Sequence, residues 1–161
     1  MTEGDDDTAA EIEAAPDRLP SRPEETRAVM RGVRRHLALL GLVTVDELPL
    51  ASGRRADIVA LSEDGSILII EVKSSVEDFR VDQKWHFYRQ HCDRLYFATT
   101  VRVPHEIFPE DAGLIIADAY GADIMREAPE HRLTAGTRKA MLLRFARVAA
   151  GRLHGLIDPQ P

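Results

Sequence analysis

One cysteine, Cys92, stands in 161 residues. A single thiol excludes an internal disulfide and fits a reducing compartment. Zinc chemistry is left without a ligand set, because His86 and His91 share no metal-binding spacing with a cysteine. Cys92 falls at the end of a helical pattern, where a small buried residue is expected rather than a nucleophile. Long apolar runs are also missing, and nothing approaches the ~18 residues of a membrane span. The chain does not open on a basic region followed by an apolar stretch, so no secretory signal is expected and the protein reads as cytoplasmic. It contains no glycine-rich phosphate loop and no internal repeat. The first 17 residues contain no Lys or Arg.

That last absence decides how the charge is read. The formal net charge is −6, with 27 acidic against 21 basic residues, which superficially argues against nucleic acid. Seven of the acids (Glu3, Asp5, Asp6, Asp7, Glu11, Glu13 and Asp17) lie in residues 1–17. The rest of the chain is close to neutral, and a neutral domain can still bind phosphate through a local basic patch. Residues 1–20 are Ala-, Asp- and Glu-rich without an apolar period, and are expected to be a disordered acidic tail. With 44% hydrophobic residues, the remainder can bury a core as one domain over 21–155, followed by a C-terminal tail over 156–161.

The densest signal is a pair of apolar runs. Ala56-Asp57-Ile58-Val59-Ala60-Leu61 and Ile67-Leu68-Ile69-Ile70-Glu71-Val72-Lys73 flank Ser62-Glu63-Asp64-Gly65-Ser66. An Asp-Gly turn between such runs predicts a β-hairpin. A three-residue loop, Glu63-Asp64-Gly65 with Gly65 left-handed, pairs Ser62 with Ser66 and sets Asp57 opposite Glu71. Strand alternation then puts Lys73 on their face and turns Val72 into the core. Two carboxylates and an ammonium converge at the open end of a hairpin apolar on both faces. Hard cations prefer oxygen ligands, and Mg²⁺ (or Mn²⁺) is commonly held by one or two carboxylates. Asp57, Glu71 and the Val72 carbonyl are the candidate metal ligands. Lys73 is placed to orient a metal-bound water or to stabilise charge on a phosphate. A surface Asp57–Lys73 ion pair worth ~0–1 kcal/mol is the alternative.

Asp57 with Glu71-Val72-Lys73 on a hairpin resembles the core motif of the PD-(D/E)xK nuclease superfamily, with Ala56 where that motif has proline. The flanking Gly53-Arg54-Arg55-Ala56-Asp57-Ile58, Asp82-Gln83-Lys84-Trp85-His86-Phe87-Tyr88 and Cys92-Asp93-Arg94-Leu95-Tyr96-Phe97-Ala98 resemble the MmcB family of bacterial DNA-repair-associated proteins. The resemblance covers roughly residues 21–155. It implies an α/β fold with a restriction-endonuclease-like core, a mixed β-sheet flanked by helices on both faces. It also implies DNA as partner, and association with the nucleoid when acting.

A first helix is predicted from Ser21, where Ser21-Arg22-Pro23-Glu24 forms a capping box with proline in the first turn. Its apolar stripe is Val29, Val33, Leu37 and Leu40, and Gly41 ends it. Many members of the superfamily carry a glutamate on this helix near the metal, and Glu25 matches that position; an acid favoured by the helix dipole explains it equally well. Arg27 and Arg31 share another face with Arg34, read either as a solvated surface or as contacts to the DNA backbone. Arg54 and Arg55, just before Asp57, are further candidates for such contacts.

Val43 to Leu50 reads as an edge strand, because Pro49 cannot serve inside a sheet. After the hairpin, Ser74-Ser75-Val76-Glu77-Asp78 predicts a helix running to about His91, with Val81, Trp85, Tyr88 and Cys92 facing the core. The superfamily often has Gln-x-x-x-Tyr on this helix; Lys84 to Tyr88 looks like a variant with Lys for Gln, making Lys84 a candidate catalytic or DNA-contacting cation. A fourth strand over Arg94–Thr99, a helical turn between Pro104 and Pro109, a hairpin around Tyr120-Gly121 and a final helix from about Thr137 to Leu153 complete the order.

Two functions follow from this pattern. One is a Mg²⁺-dependent DNA nuclease; the other is a non-catalytic module that binds DNA or a repair partner on the same fold. Junction cleavage by a dimer with paired sites is a third possibility. Retention of Asp57, Glu71 and Lys73 together favours the enzyme.

Overall fold

Ser21 starts the first helix as its capping pattern predicts. Its backbone N–H donates to the Glu24 carboxylate at 2.7 Å and its hydroxyl at 2.6 Å, and Pro23 sits in the first turn. The helix, α1, is Arg22–Leu39 in the computed structural model, which describes residues 20–82 and 84–159. The acidic N-terminal segment, Gln83 and the last two residues lie outside the described residues. Val29, Val33 and Leu37 are buried as the stripe requires. Leu40 departs from it: the helix ends at Leu39, Gly41 turns the chain at φ +79°, and Leu40 is left exposed.

Six strands follow, and they lie side by side in chain order. They are β1 Val43–Pro49, β2 Arg55–Leu61, β3 Ile67–Val72, β4 Arg94–Thr99, β5 Gly113–Ala117 and β6 Ala122–Arg126. The first three are antiparallel, β3–β4 and β4–β5 are parallel, and β5–β6 is again antiparallel. Parallel neighbours need a crossover. The first crossover is α2, Val76–Val81, followed by a 3₁₀ segment, Trp85–His91; the second contains a turn at His105–Ile107. The last helix, α3, is Ala135–Ile157, so the segment taken as a tail from residue 156 begins inside its final turn.

Both faces of the sheet are covered, as a mixed sheet with apolar residues on both sides demands. On one face α1 packs Val29, Val33 and Leu37 against Ile58, Ile70, Val72 and Ile115. On the other, Met141 and Phe145 of α3 join Tyr88 and Cys92 over Val59 and Ile69. The arrangement is the expected α/β one and is consistent with a restriction-endonuclease-like core. Cys92 is fully buried, and burial pushes its thiol up to about 12. Half-buried Trp85 sits edge-on to Phe97 at 5.5 Å, a core residue rather than a stacking platform. Close approach explains Gly32 on α1, where a Cβ would come within 2.1 Å of the Asp118 carbonyl oxygen in the β5–β6 turn. Among the described residues, no helix is long and apolar enough to cross a membrane.

The hairpin has the register the turn implies. Gly65 adopts φ +83°, and the Ser62 N–H donates to the Ser66 carbonyl at 3.0 Å. Leu61 then faces Ile67, and Ile58 faces Ile70. The continuous helix expected from residue 76 to 91 is instead broken: α2 stops at Val81, Asp82 leaves the helical region at ψ 70°, and the chain resumes as 3₁₀ at Trp85.

Asp93 ties α3 to the sheet. Its carboxylate accepts the Ile67 N–H at 2.8 Å and the Leu133 N–H at 2.9 Å. Arg138 grips it with two bonds of 2.7 and 2.6 Å. Burial alone would raise this carboxyl, but the Arg138 pair and the two backbone donors outweigh it and hold it below the ordinary value of 3.8. A depressed carboxyl stabilises the fold above its unfolded pKa, and that contribution is lost as pH falls through the folded one. Asp93→Ala is expected to cost about 2–4 kcal/mol at pH 7, because two backbone donors lose their acceptor. It should also flatten the acid limb of stability below pH 3.8; urea unfolding across pH measures both effects.

Candidate active site

The antiparallel ladder between β2 and β3 ends at Ile58 and Ile70. One residue further on, side chains take over its bonding. The Asp57 N–H donates to Glu71 Oε1 at 3.2 Å, and the Val72 N–H donates to Asp57 Oδ2 at 2.8 Å. Each carboxylate therefore caps the other strand, and the two are held across from each other as the register predicts. Glu71 is 2% exposed and Asp57 half-buried.

Lys73 follows on the same side. Its N–H donates to the Ala98 carbonyl at 2.9 Å and its carbonyl accepts the Thr99 hydroxyl at 2.6 Å, so β4 clamps its backbone. The ammonium, nearly buried, lies 3.8 Å from Glu71 Oε2 and 2.7 Å from Asp82 Oδ2. Asp82 was not among the residues the sequence singled out. Its inward turn depends on the break after α2, which the apolar spacing of Val81, Trp85 and Tyr88 conceals.

Asp57, Glu71, Val72 and Lys73 line a cavity of about 440 Å³ with Tyr88. Arg22 and Thr26 of α1 close one side and Glu77, Asp78 and Val81 of α2 the other. The Tyr88 hydroxyl donates to the Arg55 carbonyl at 3.3 Å, and burial pushes the phenol up to about 12. The Arg54 guanidinium lies over the Phe87 and Tyr88 rings at 5.4 and 5.9 Å, a cation–π arrangement beside the cavity. Arg55 is exposed and pairs with Glu47 at 3.4 Å. Arg27 and Arg31 are exposed on α1.

Two expected residues stand elsewhere. Glu25 pairs with Arg102 and lines a separate cavity with Thr100 and Asp118, so it does not join the carboxylate pair. The cause is helical rotation: each residue advances about 100°, and on α1 it is Arg22 and Thr26, not Glu25, that turn toward Glu71. Lys84 is exposed at the start of the 3₁₀ segment, its N–H donating to Asp82 Oδ1 at 3.3 Å. In the continuous helix expected for this segment, Lys84 would lie one turn before Tyr88. The break and the tighter 3₁₀ winding remove that alignment, and Lys84 does not line the cavity.

The electrostatics of the pair are unfavourable to two charges. Burial first, and the neighbouring Asp57 second, push Glu71 up to about 8, against an opposing pull from Lys73. Burial also raises Asp57 above its usual 3.8, with the Val72 N–H and Lys73 pulling the other way. A carboxyl raised on folding stabilises the fold below its unfolded pKa of about 4.5, and the contribution is lost as pH climbs toward about 8. Without metal, Glu71→Gln is therefore expected to be more stable than the parent at pH 9, by about 1–3 kcal/mol, and not at pH 4. Thermal melts in chelator at both pH values test this; equal gains at each would show that charge on Glu71 is not the cause.

Comparison with known proteins places this geometry in context. A family model described as DNA repair protein MmcB-like matches residues 13–160. A solved structure, the SPO1766 protein of unknown function from Silicibacter pomeroyi, is 44% identical, with a TM-score of 0.82 over 88% of this chain and 95% of that one. Comparison with curated proteins gave no match.

Proposed function

This chain belongs to the MmcB-like DNA repair protein family, and on that footing we propose that it is a DNA nuclease dependent on Mg²⁺ or Mn²⁺. The Asp57–Glu71 pair carries the reading. Two carboxylates locked together by backbone N–H donors, one of them almost wholly buried, are costly without a cation. The donor set consists of hard oxygens, which fits a divalent ion of this class. Asp57 and Glu71 would hold it, with the Val72 carbonyl as a third oxygen. When bound, the ion supplies Lewis acidity and positive charge to a phosphodiester and its attacking water.

The chain's own residues do the rest. Lys73 presents a positive charge on the cavity wall beside Glu71, where charge on a phosphate oxygen builds up during cleavage. Its backbone is fixed between β3 and β4, so the stem starts from a rigid point. Arg22, paired with Glu77 at 3.6 Å in an exposed ion pair that a phosphate can replace, and Arg54 beside Tyr88 offer cations to the flanking DNA backbone, and exposed Arg27 and Arg31 extend that surface along α1. Glu25, held by Arg102, has a structural role in this reading, and exposed Lys84 is kept for DNA contact rather than chemistry.

One observation favours the second reading, a non-catalytic module for DNA or a repair partner. The Lys73 ammonium is nearer Asp82 than Glu71, as it would be in a purely structural ion pair. Cleavage of single-stranded, duplex, flap and junction DNA with Mg²⁺ or Mn²⁺ separates the two readings. Asp57→Asn and Glu71→Gln are expected to abolish both cleavage and Mn²⁺ binding. Lys73→Ala should lower cleavage about 10²–10³-fold while keeping DNA binding. A wild type that binds these DNAs and cuts none with either metal would establish the module instead.

A further inference from the structure

Asp82 stands where the first crossover breaks, and the break has a definite result. The apolar spacing of Val81, Trp85 and Tyr88 suits a continuous helix, yet the backbone leaves the helical region at Asp82 and restarts at Trp85. An interrupted helix forfeits backbone hydrogen bonds and exposes orphan groups at both new ends. In return, the break turns the Asp82 carboxylate inward. Oδ2 takes the Lys73 ammonium at 2.7 Å, while Oδ1 accepts the Lys84 N–H and tethers the restarting chain at 3.3 Å.

The two partners are not equivalent with respect to the cavity. Lys73 lines it; Asp82 does not. The carboxylate therefore holds the ammonium without itself lining the cavity. Lysine has three donors in a compact head on a flexible four-carbon stem. Without a second anion, the nearest counter-charge for that head would be Glu71, whose Oε2 is 3.8 Å away. A Lys73 collapsed onto Glu71 would occupy the carboxylate that the cation needs. With Asp82 in place, Glu71 Oε1 stays on the Asp57 N–H and Oε2 is held 3.8 Å from the ammonium rather than in direct contact with it.

We propose that Asp82 is a positioning residue for phosphodiester cleavage: it draws the Lys73 ammonium off Glu71, holding Lys73 at the substrate and leaving Glu71 to the divalent ion. The inference rests on the nuclease reading for its chemistry, but its physical content can be measured without cleavage. Asp82 acts on two things at once, the placement of one charge and the availability of another.

The test compares the full-length wild type with Asp82→Asn and Asp82→Glu. Mn²⁺ binding is followed by calorimetry, and the Lys73 ammonium by ¹⁵N spectroscopy of the lysine side chains, assigned with Lys73→Arg. Thermal melts confirm that each variant is folded. In Asp82→Asn, Mn²⁺ affinity should fall about 10–100-fold, the range for residues that orient a metal's ligands. The Lys73 resonance should move, and Asp82→Glu should restore most of both. On a DNA that the wild type cuts, kcat should fall by a similar factor with KM within about twofold, since Asp82 does not reach the cavity. If the wild type cuts nothing, the nuclease reading fails, and the metal and lysine measurements still decide the role of Asp82. Unchanged Mn²⁺ affinity with an unmoved Lys73 resonance in a folded Asp82→Asn overturns the proposal. So does a loss that glutamate does not repair, which would mark Asp82 as a general structural support.

Discussion

At the open end of the β2–β3 hairpin, two backbone N–H groups are bonded to carboxylates instead of to carbonyls across the strand. The Asp57 and Val72 donors turn to Glu71 and Asp57, and much else in the molecule serves that exchange. It requires the strands to be in one register, since a slip of a single residue would send every side chain to the opposite face. The Glu63–Gly65 loop and the Ser62–Ser66 bond set that register at the far end. The apolar residues between turn and carboxylates keep it, because each face has its own layer of helix to satisfy: Ile58 and Ile70 under α1, Val59 and Ile69 under α3. The site is thus the last rung of a ladder fixed at its other end.

The parallel half of the sheet contributes a different constraint. An antiparallel hairpin alone would leave Lys73 beyond the last paired residue, free to move. Because β4 runs parallel to β3, the Ala98 carbonyl and the Thr99 hydroxyl reach past Val72 and hold the Lys73 backbone. The crossover that makes this pairing possible also carries Asp82 and Tyr88 to the same spot. Fold and site therefore share their costs: the connection needed to make two strands parallel is also the segment that closes the cavity.

How much of this could be read beforehand depended on whether the signal was local. The hairpin was legible because Gly65 and the alternation of apolar residues specify register within about twenty residues of chain, and Asp57, Glu71 and Lys73 followed from counting. The succession of elements along the chain, the edge position of β1 and the capping of α1 by Ser21 were legible for similar reasons. Asp82 was not, because the apolar period runs unbroken across a real break, and its pairing with a lysine nine residues earlier is a contact that periodicity does not encode. Glu25 was placed by its match to a superfamily position on this helix, which does not fix where its side chain turns; its pairing with Arg102, from the loop after β4, comes from tertiary structure. Leu40 failed for a simpler reason, since Gly41 ended the helix one residue before the stripe did.

Glu47 is the one described non-glycine residue with a positive φ, at 49°, and it lies on edge strand β1 between Asp46 and Leu48, which pair with Ile58 and Ala56. Left-handed backbone in the middle of a strand prevents the outer edge from offering an even row of donors and acceptors. Two residues later, Pro49 removes another donor from that strand. A partner strand approaching β1 would find a twisted, interrupted template rather than a straight one. A sheet rich in isoleucine and valine and six strands wide would, with a straight and bare edge, invite its copies to stack edge to edge into aggregates. The left-handed residue at Glu47 works against that, together with Arg152 and Arg144 of α3, which donate to the Asp46, Glu47 and Pro49 carbonyls of the strand that neighbours Asp57.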